Sequence, residues 1–475
     1  MSYAGRSSRI AIAVLACAGL VVPQVVRAQS PDTTSAIHYK GLTLTPIGFI
    51  AAEGIYRSAN EEADVGSSFN GVPFDKSTAS NLSEFRGTGR QSRMGLFANA
   101  TAGQTKVSAL WEADFLGVGT TSNSTESNSY VLRIRQAWGQ ANFASGWSLA
   151  AGQMWSLITT DKSGIAPRAE WVPLTIDAQY SVGFDWARQF AFRATDKLSK
   201  SATFAIAVEG AQTTYSARGA PTNFVIGAVG GSQLNGTANY SNDAAPDAIA
   251  KLAFDPGWGH FEIKAVGVMM RDRIWDPADT IGGTRNNSTT GGGIGAGILL
   301  PLVAKKLDLG FSGLTGSGIG RYGTSQLPDA TINSNLTLAP LSTWSAMITL
   351  EAHPTPKLDL YAYAGEEYVS NHVQTLDGKS IGYGSSLLDD SGCMTEAAPT
   401  GVYAPGSGSP CNADTKDIKQ LSIGFWHRFY KGASGTLQWG AEYSHIDREA
   451  WPGLAGIQAK GSDDMGFISF RYIIP

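Results

Sequence analysis

The sequence has no long hydrophobic run outside its N-terminal region. The longest apolar stretch in the remainder, residues 294–304, is rich in glycine and is interrupted by Pro301. A membrane-spanning helix requires about 18 or more consecutive apolar residues. The sequence therefore excludes a helical membrane protein, although 475 residues are enough for one large closed architecture.

Charge is also scarce. Asp, Glu, Lys and Arg make up 16% of the residues, and the formal net charge is only −4. Soluble domains usually contain roughly 25% charged residues. Mild acidity of this kind gives no electrostatic basis for binding nucleic acid, so we expect no nucleic-acid partner.

The motifs of enzymes and metal sites are missing from the sequence. The six histidines are scattered, and there is no HExxH, no GxSxG and no paired-cysteine spacing of a metal site. We therefore expect no catalytic centre, no metal and no cofactor.

Only three cysteines are present. Cys393 and Cys411 lie in one polar segment, and an even pair in an exported chain predicts a disulfide. Closing that loop would stabilise the folded state by about 3 kcal/mol in the chain-entropy model. A metal site is the alternative, which the lack of histidine in this segment disfavours.

The third cysteine, Cys17, belongs to an N-terminal targeting pattern. Two arginines precede an apolar stretch over residues 10–22, and small residues for cleavage end at Ala28. This pattern predicts a signal peptide over residues 1–28. The alternatives are a membrane anchor, which the short apolar stretch disfavours, and lipid attachment at Cys17.

The rest of the chain repeats one pattern, a stretch in which hydrophobic and polar side chains alternate. Seven short turns, rich in glycine, proline and lysine, and eight long polar loops separate these stretches in strict alternation. Sixteen stretches occur, near residues 42–57, 90–103, 105–117, 129–142, 147–158, 185–195, 201–212, 247–256, 260–274, 289–302, 306–320, 341–353, 357–370, 417–430, 434–450 and 463–474.

This alternation predicts an all-β fold, a 16-stranded antiparallel transmembrane β-barrel. Roughly 9–11 residues of a tilted strand cross a membrane. In hydrocarbon every backbone amide must be paired, so a sheet spans only when it closes. An even number of strands, with short periplasmic turns and long external loops, is typical of outer-membrane barrels. We expect the barrel over residues 41–475 and a short periplasmic segment over residues 29–40.

The two faces of each strand differ in chemistry. Trp111 alternates with Glu112 along the third stretch, so apolar side chains would face lipid and polar ones a wet lumen. Aromatic residues near the short turns predict a belt at the membrane interface. These residues are Trp138, Trp147, Trp258, Phe429 and Tyr472.

Sixteen strands leave an aqueous channel, whereas side chains fill the interior of an eight-stranded barrel. A wet lumen predicts passive diffusion of small solutes past a constriction that sets selectivity. The third long loop, residues 159–184, is expected to fold inward and form it, as the third external loop does in sixteen-stranded porins. An ordinary solvated loop is the alternative. The candidate constriction residues are Asp161, Lys162, Arg168, Glu170 and Asp177.

A second group of candidate pore residues lies on the strands. Symmetrical hairpins place Arg93 opposite Asp114, Asp114 opposite Arg133, and Glu112 opposite Arg135. Opposite charges at paired positions attract, and a slip by one residue would turn them into lipid. Arginines in a pore favour anions. The alternative is that the carboxylates neutralise the arginines and the row only braces the wall.

Two further arginines lie on the sixth stretch. Arg193 has the inward parity, together with Gln189. Arg188 has the lipid-facing parity, so a bulge or the rim of the strand has to accommodate it.

Several motifs resemble the DcaP-like porins of Gram-negative outer membranes: SRMGLFANA, EADFLG, LRIRQAWGQ, AGQMWSLIT and PLTIDAQYSVGFDWARQFAFR. The resemblance implies a homotrimeric channel in the outer membrane that takes up small anionic compounds, such as dicarboxylates, through an arginine-lined constriction. It also implies outer-membrane lipid and the barrel-assembly machinery as partners. By motif position, the arginine role would fall to Arg93, Arg133, Arg135, Arg188 and Arg193.

The sequence leaves two other functions open. A lipid hydrolase on the outer face of a barrel would use His427 or His445 as a base and would need a neighbouring serine. A secreted, soluble β-rich binding protein would also show alternating strands.

Overall fold

The computed structural model describes residues 36–117, 131–230, 238–280, 282–396 and 411–475. The predicted signal peptide, with Cys17, lies outside these residues. Within them, no helix is both long enough and apolar enough to cross a membrane.

In the described part of the chain, sixteen long strands form one antiparallel sheet. We number these strands in chain order. They are β1 (Leu42–Arg57), β2 (Arg93–Ala102), β3 (Thr105–Gly117), β4 (Val131–Asn142), β5 (Trp147–Trp155), β6 (Arg188–Asp196), β7 (Ala202–Glu209), β8 (Asp247–Phe254), β9 (His260–Ile274), β10 (Arg285–Val303), β11 (Leu307–Ser317), β12 (Ser342–Thr355), β13 (Leu358–Val369), β14 (Thr415–Gly432), β15 (Gly435–Ala450) and β16 (Lys460–Ile473).

The sheet closes on itself. Each strand pairs with the next along the chain, and β16 pairs with β1 through the register Phe49↔Ile473 to Arg57↔Met465. Closure leaves no edge with unpaired backbone amides, which is the condition for spanning hydrocarbon. The predicted 16-stranded barrel is therefore confirmed, and each predicted stretch overlaps one strand.

Shorter elements decorate the barrel. Ile37–Tyr39, in the segment that precedes the barrel, folds back on β1, and Glu84–Thr88 pairs with the upper half of the same strand. The remaining short strands are Phe224–Val225, Gly227–Val229, Asn239–Ser241, Ala330–Ile332, Leu338–Pro340, His372–Leu376 and Lys379–Tyr383, and the 3-10 turns are Phe69–Gly71, Ala79–Asn81, Gly320–Tyr322 and Leu454–Gly456.

Side chains alternate across the barrel wall as the sequence predicted. On β14, Leu421 and Ile423 are 54% and 50% exposed, whereas Ser422 between them is fully buried. Outward side chains are apolar because they meet lipid, and inward ones are polar because they meet water or the inner loops.

The aromatic belt is confirmed in part. Trp147, Trp258 and Phe429 are exposed on the outer face near short turns. The prediction is wrong for Trp138, because this side chain is buried inside the barrel. A bulge between β3 and β4 turns both Arg135 and Gln136 inward and so reverses the parity of every later residue on β4.

Three long loops fold into the barrel: L1 (residues 58–92), L3 (156–187) and L6 (318–341). Their apolar side chains build the core inside the lumen. Phe69 of L1, Ile176 of L3 and Leu327 of L6 belong to one buried cluster. The prediction that the third loop folds inward is confirmed, but it shares the lumen with two other loops.

The predicted disulfide is also confirmed. Cys393 and Cys411 are bonded, with their Cα atoms 4.5 Å apart. It closes part of the loop between β13 and β14, of which residues 397–410 lie outside the described residues.

Candidate functional site

The charged row on β2, β3 and β4 faces the lumen. Arg93 pairs with Asp114 across β2 and β3, and Asp114 pairs with Arg133 across β3 and β4, as the sequence predicted. Asp114 Oδ2 lies 2.8 Å from Arg133 Nη2 and 2.7 Å from Arg135 Nη1. Arg93 Nε lies 3.0 Å from Glu112 Oε1. The two carboxylates are therefore shared among three arginines.

One part of the predicted register is wrong. Glu112 lies opposite Gln136, not opposite Arg135, because the bulge adds one residue to β4 at this point. Arg135 still reaches Glu112, with Nε 2.9 Å from Oε1. The bulge thus places Arg135 between both acids, where it bonds to Glu112 and Asp114 at once.

The exposure of each side chain shows which arginines could attract anions and which could only brace the wall. The Arg135 side chain is 3% exposed, whereas that of Arg133 is 37% exposed and that of Arg93 is 27% exposed. A fully paired, buried guanidinium braces the wall, because removing it would take away the buried cation that Glu112 and Asp114 share. Arg133 and Arg93 retain surface that a solute can reach.

Tyr180 of L3 joins these arginines to β6. Arg135 Nη2 donates a hydrogen bond of 3.2 Å to the Tyr180 hydroxyl. Burial by itself would raise the pKa of Tyr180, but the charges of Arg135, Arg188 and Arg93 outweigh it and lower the pKa. Arginines from three strands therefore act on one hydroxyl.

Arg188 reaches the lumen from the rim of its strand. It is the first residue of β6 and lies opposite Trp155, the last residue of β5. Its guanidinium carbon lies 5.0 Å from the ring centroids of both Trp155 and Trp186. Among the described residues it has no carboxylate partner within 4.0 Å, and its Nη1 is buried without a hydrogen-bond partner. We call Arg93, Arg133, Arg135 and Arg188 the arginine cluster.

Arg193 lies apart from the arginine cluster. It points inward as its parity predicted, it is buried, and its Nη2 donates a 2.5 Å hydrogen bond to the carbonyl of Trp155. Its charge acts on Asp161 and Glu170 at the start of L3. Its position is that of a support for the loop.

Asp161 is held by side chains of β8 and β9. Lys251 Nζ on β8 donates to Asp161 Oδ2 at 2.8 Å and to the carbonyl of Thr159 at 2.6 Å. It also lies 3.1 Å from Glu262 Oε2 on β9, and Glu262 accepts from the Asp161 amide at 3.1 Å. This buried charge network fixes the first arm of L3 to β8 and β9.

Polar side chains of β13 and β14 hold the second arm of L3 through hydrogen bonds. Gly183 donates its amide to Glu367 at 2.9 Å, and the Val182 amide donates to Gln420 at 2.7 Å. The loop passes so close to β13 that a Cβ at Gly365 would overlap the carbonyl oxygen of Val182. Only glycine fits at that crossing, so the residue at position 365 of the wall permits this path of the loop.

The five charged candidates of L3 do not all come together at one place. Asp177 accepts the Ser67 amide of L1 at 3.1 Å, and the Arg168 guanidinium carbon lies 4.2 Å from the centroid of Phe97 on β2. Lys162 lines a cavity of about 780 Å³ near the short turns. Asp177 therefore connects L3 to L1, and Arg168 connects it to β2. Lys162 lies near the short-turn end of the barrel.

Glu170 is buried beside Asp161 in the small hairpin that opens L3. Burial raises the pKa of Glu170 from its usual 4.5 to about 7, and the Asp161 carboxylate adds to the shift. The folded state therefore holds a proton that the unfolded state loses above about pH 4.5. Its contribution to stability is present below that pH and is lost as the pH rises through about 7.

We expect the pH dependence of stability to decrease when Glu170 is replaced by Gln, which mimics the protonated carboxyl. Melting of the purified protein in detergent is compared at about pH 5 and pH 8, and the loss of stability at the higher pH should be smaller in Glu170→Gln than in the wild type by up to about 3 kcal/mol. Glu62→Gln, at an exposed position of L1, should behave as the wild type. Equal pH dependence in all three proteins would contradict the assignment.

Sequence reasoning missed several residues of the lumen. Lys251 and Glu262 share the inward parity of β8 and β9, so period-two charges could have found them. Arg471 on β16 also has the inward parity, pairs with Glu53 at 2.8 Å and lies over the Phe49 ring that Arg93 also faces. Tyr180 had no sequence signal.

The hydrolase alternative needs a serine beside a histidine on the outer face. His445 Nδ1 lies 2.8 Å from Asp464 and its Nε2 lies 3.5 Å from Asp447. In the described ranges, neither His445 nor His427 has a serine hydroxyl within hydrogen-bond distance.

The fold is that of a known outer-membrane channel. The structure is similar to DcaP of Acinetobacter baumannii, with a TM-score of 0.62 and 17% sequence identity over 92% of this chain and 99% of that chain. No family model and no curated protein matches the sequence.

Two further structures are similar at lower scores. The anion-selective porin from Comamonas acidovorans has a TM-score of 0.46 and 10% identity over 91% of this chain and all of that chain. OmpF of Salmonella typhi has a TM-score of 0.47 and 10% identity over 92% of this chain and all of its own.

Proposed function

We propose that this chain is a DcaP-like porin of the outer membrane, through which small hydrophilic anions diffuse along the arginine cluster. The observation that carries the proposal is an imbalance of charge. Four arginines converge on one side of the lumen, and among the described residues two carboxylates, Glu112 and Asp114, pair with them. Rings of arginine favour anions in a pore.

The cluster is built to receive a charged group. The side chain of Arg133 is 37% exposed, and Arg188 has a buried Nη1 with no hydrogen-bond partner among the described residues. Guanidinium groups bind carboxylates through paired, charge-assisted hydrogen bonds. Small carboxylates, including dicarboxylates that reach two arginines at once, are the solute class that fits this arrangement.

The two carboxylates of the row support passage rather than tight binding. Glu112 and Asp114 neutralise part of the positive charge of the arginine cluster. This partial neutralisation weakens the hold on an anion, and conduction requires that binding stay weak enough for release.

The apolar outer surface supports a location in the membrane and disfavours the alternative of a secreted soluble protein. Large apolar side chains cover the outer face of the strands, including Ile263, Ile294 and Leu421. We further propose the outer membrane as the location, export by the N-terminal signal peptide, insertion by the barrel-assembly machinery, and a homotrimer as the assembled state. The motif resemblance and the shared fold support these assignments.

Channel activity is tested in planar lipid bilayers. The purified protein should produce stepwise conductance, with steps grouped in threes if it is a trimer. In a salt gradient, the reversal potential should have the sign of an anion-preferring pore, and added succinate should reduce the current of chloride. Absence of any conductance would overturn the porin assignment, and a cation-preferring potential would overturn the proposed solute class.

A further inference from the structure

Two arginines on β9 point away from the lumen. Met270, Asp272 and Ile274 are buried on the inner face, so Arg271 and Arg273 between them project outward. An arginine on the lipid side of a barrel is costly at the middle of the membrane and inexpensive near the interface. Their depth therefore decides what they do.

Their depth corresponds to the upper edge of the apolar band. Phe261 lies on the same outer face of β9 and contacts Trp258, with ring centroids 4.8 Å apart, near the short turn. The ten residues from Phe261 to Arg271 rise roughly 34 Å along a strand. At a tilt of 35–45° this is roughly 25 Å along the membrane normal, which equals the height of the apolar band.

Neither guanidinium is neutralised. Among the residues that the structure describes, neither Arg271 nor Arg273 has a carboxylate within 4.0 Å, and Arg271 Nε is buried without a hydrogen-bond partner. Two other outward cations on the strands at this end are paired: Lys460 lies 2.6 Å from Glu449, and His445 lies 2.8 Å from Asp464. The two arginines of β9 differ from them in having no such partner among the described residues.

Polar groups of β10 complete the patch. Ser288 lies opposite Arg271, and Asn286 lies opposite Arg273 and accepts a 2.8 Å hydrogen bond from its Nη1. Below them on the same face, Ile263 and Ile294 are exposed. The patch therefore offers charged and neutral donors directly above a surface for acyl chains.

We propose that Arg271 and Arg273, with Ser288 and Asn286, bind a phosphate group of the phosphorylated glycolipid that forms the outer leaflet. The inference rests on the proposed outer-membrane location. The planar donor group of arginine matches the oxygens of phosphate, and here the phosphate would arrive at the depth of the headgroups with the acyl chains of its lipid beside Ile263 and Ile294. A second copy of the chain is the alternative occupant, and the oligomeric state of a variant without these arginines distinguishes it from lipid.

The test uses the full chain in detergent, with lipid A as the probe and native mass spectrometry as the readout. Arg271→Gln combined with Arg273→Gln should weaken lipid A binding about tenfold or more, since charge-assisted hydrogen bonds are lost. The matched control, Lys305→Gln combined with Lys306→Gln, removes the same charge at the short turn after β10 and should bind as the wild type. Lipid A without its phosphates should bind the wild type as weakly as intact lipid A binds the arginine double variant.

Several outcomes would overturn the proposal. Unchanged lipid A affinity in the arginine double variant excludes the site, and equal loss in the lysine double variant reduces it to a general charge effect. Displacement of lipid A by inorganic phosphate at comparable concentration would assign the site to the free anion. A change of oligomeric state in the arginine double variant would assign the patch to a second copy.

The fate of the channel is measured separately on the same proteins. Both arginines face lipid, so the conductance of the arginine double variant should equal that of the wild type. Absence of conductance in the wild type, with lipid A binding that still depends on Arg271 and Arg273, would refute the pore and leave the lipid site in place.

Discussion

Replacing Arg133 by Ala should shift the reversal potential of the channel strongly towards cations. Arg133 is the most exposed member of the row on β2 to β4, and its loss leaves Asp114 with Arg135 alone. The row of three arginines and two carboxylates then becomes neutral. Because pore selectivity follows the charge of the constriction, we expect anion preference to fall severalfold in a salt gradient.

Two variants show whether this effect is specific. Arg86→Ala removes an exposed arginine of L1 that pairs with Glu84, so its reversal potential should equal that of the wild type. Arg135→Ala should lower stability instead, by about 3–5 kcal/mol, because Glu112 and Asp114 lose the buried cation between them. An unchanged potential in Arg133→Ala would mean that the row only braces the wall.

Replacing Lys251 by Met should release the first arm of L3. The ammonium group is fully buried among Asp161, Glu262 and the Thr159 carbonyl. Removing it leaves the buried Asp161 carboxylate with no cation within 4.0 Å among the described residues, whereas Glu262 keeps His260 and Lys264 beside it. Breaking a buried ion pair from one side costs about 3–5 kcal/mol. We expect that loss in the free energy of unfolding in detergent, together with larger and noisier single-channel currents as the loop leaves its place.

Two further variants separate the network from the mere loss of a lysine. Lys419→Met removes an exposed lysine on the outer face of β14 and should change stability by about 1 kcal/mol or less. Adding Asp161→Asn to Lys251→Met removes the stranded charge and should recover part of the stability. If the double variant is no more stable than Lys251→Met, the attachment of the first arm of L3 to β8 and β9 does not depend on charge.

The sequence by itself determined the barrel and its orientation. A strand has a period of two, so each stretch such as 105–117 states which side chains meet lipid and which meet the lumen. The alternation of short turns and long loops then fixes the number of strands. It also places the short turns at one end of the barrel and the long loops at the other. Local hairpin geometry was sufficient to place Arg93, Asp114 and Arg133 side by side.

The tertiary structure decided what the lumen contains. The bulge at Arg135 and Gln136 reversed the parity of Trp138, and a bulge depends on pairing with a neighbouring strand that no local pattern reports. The path of L3 depends on contacts such as Tyr180 with Arg135 and Asp161 with Lys251, which join residues far apart in sequence. Alternation records which face of a strand is apolar, but it carries no information about which distant loop will fill the space that the strands enclose.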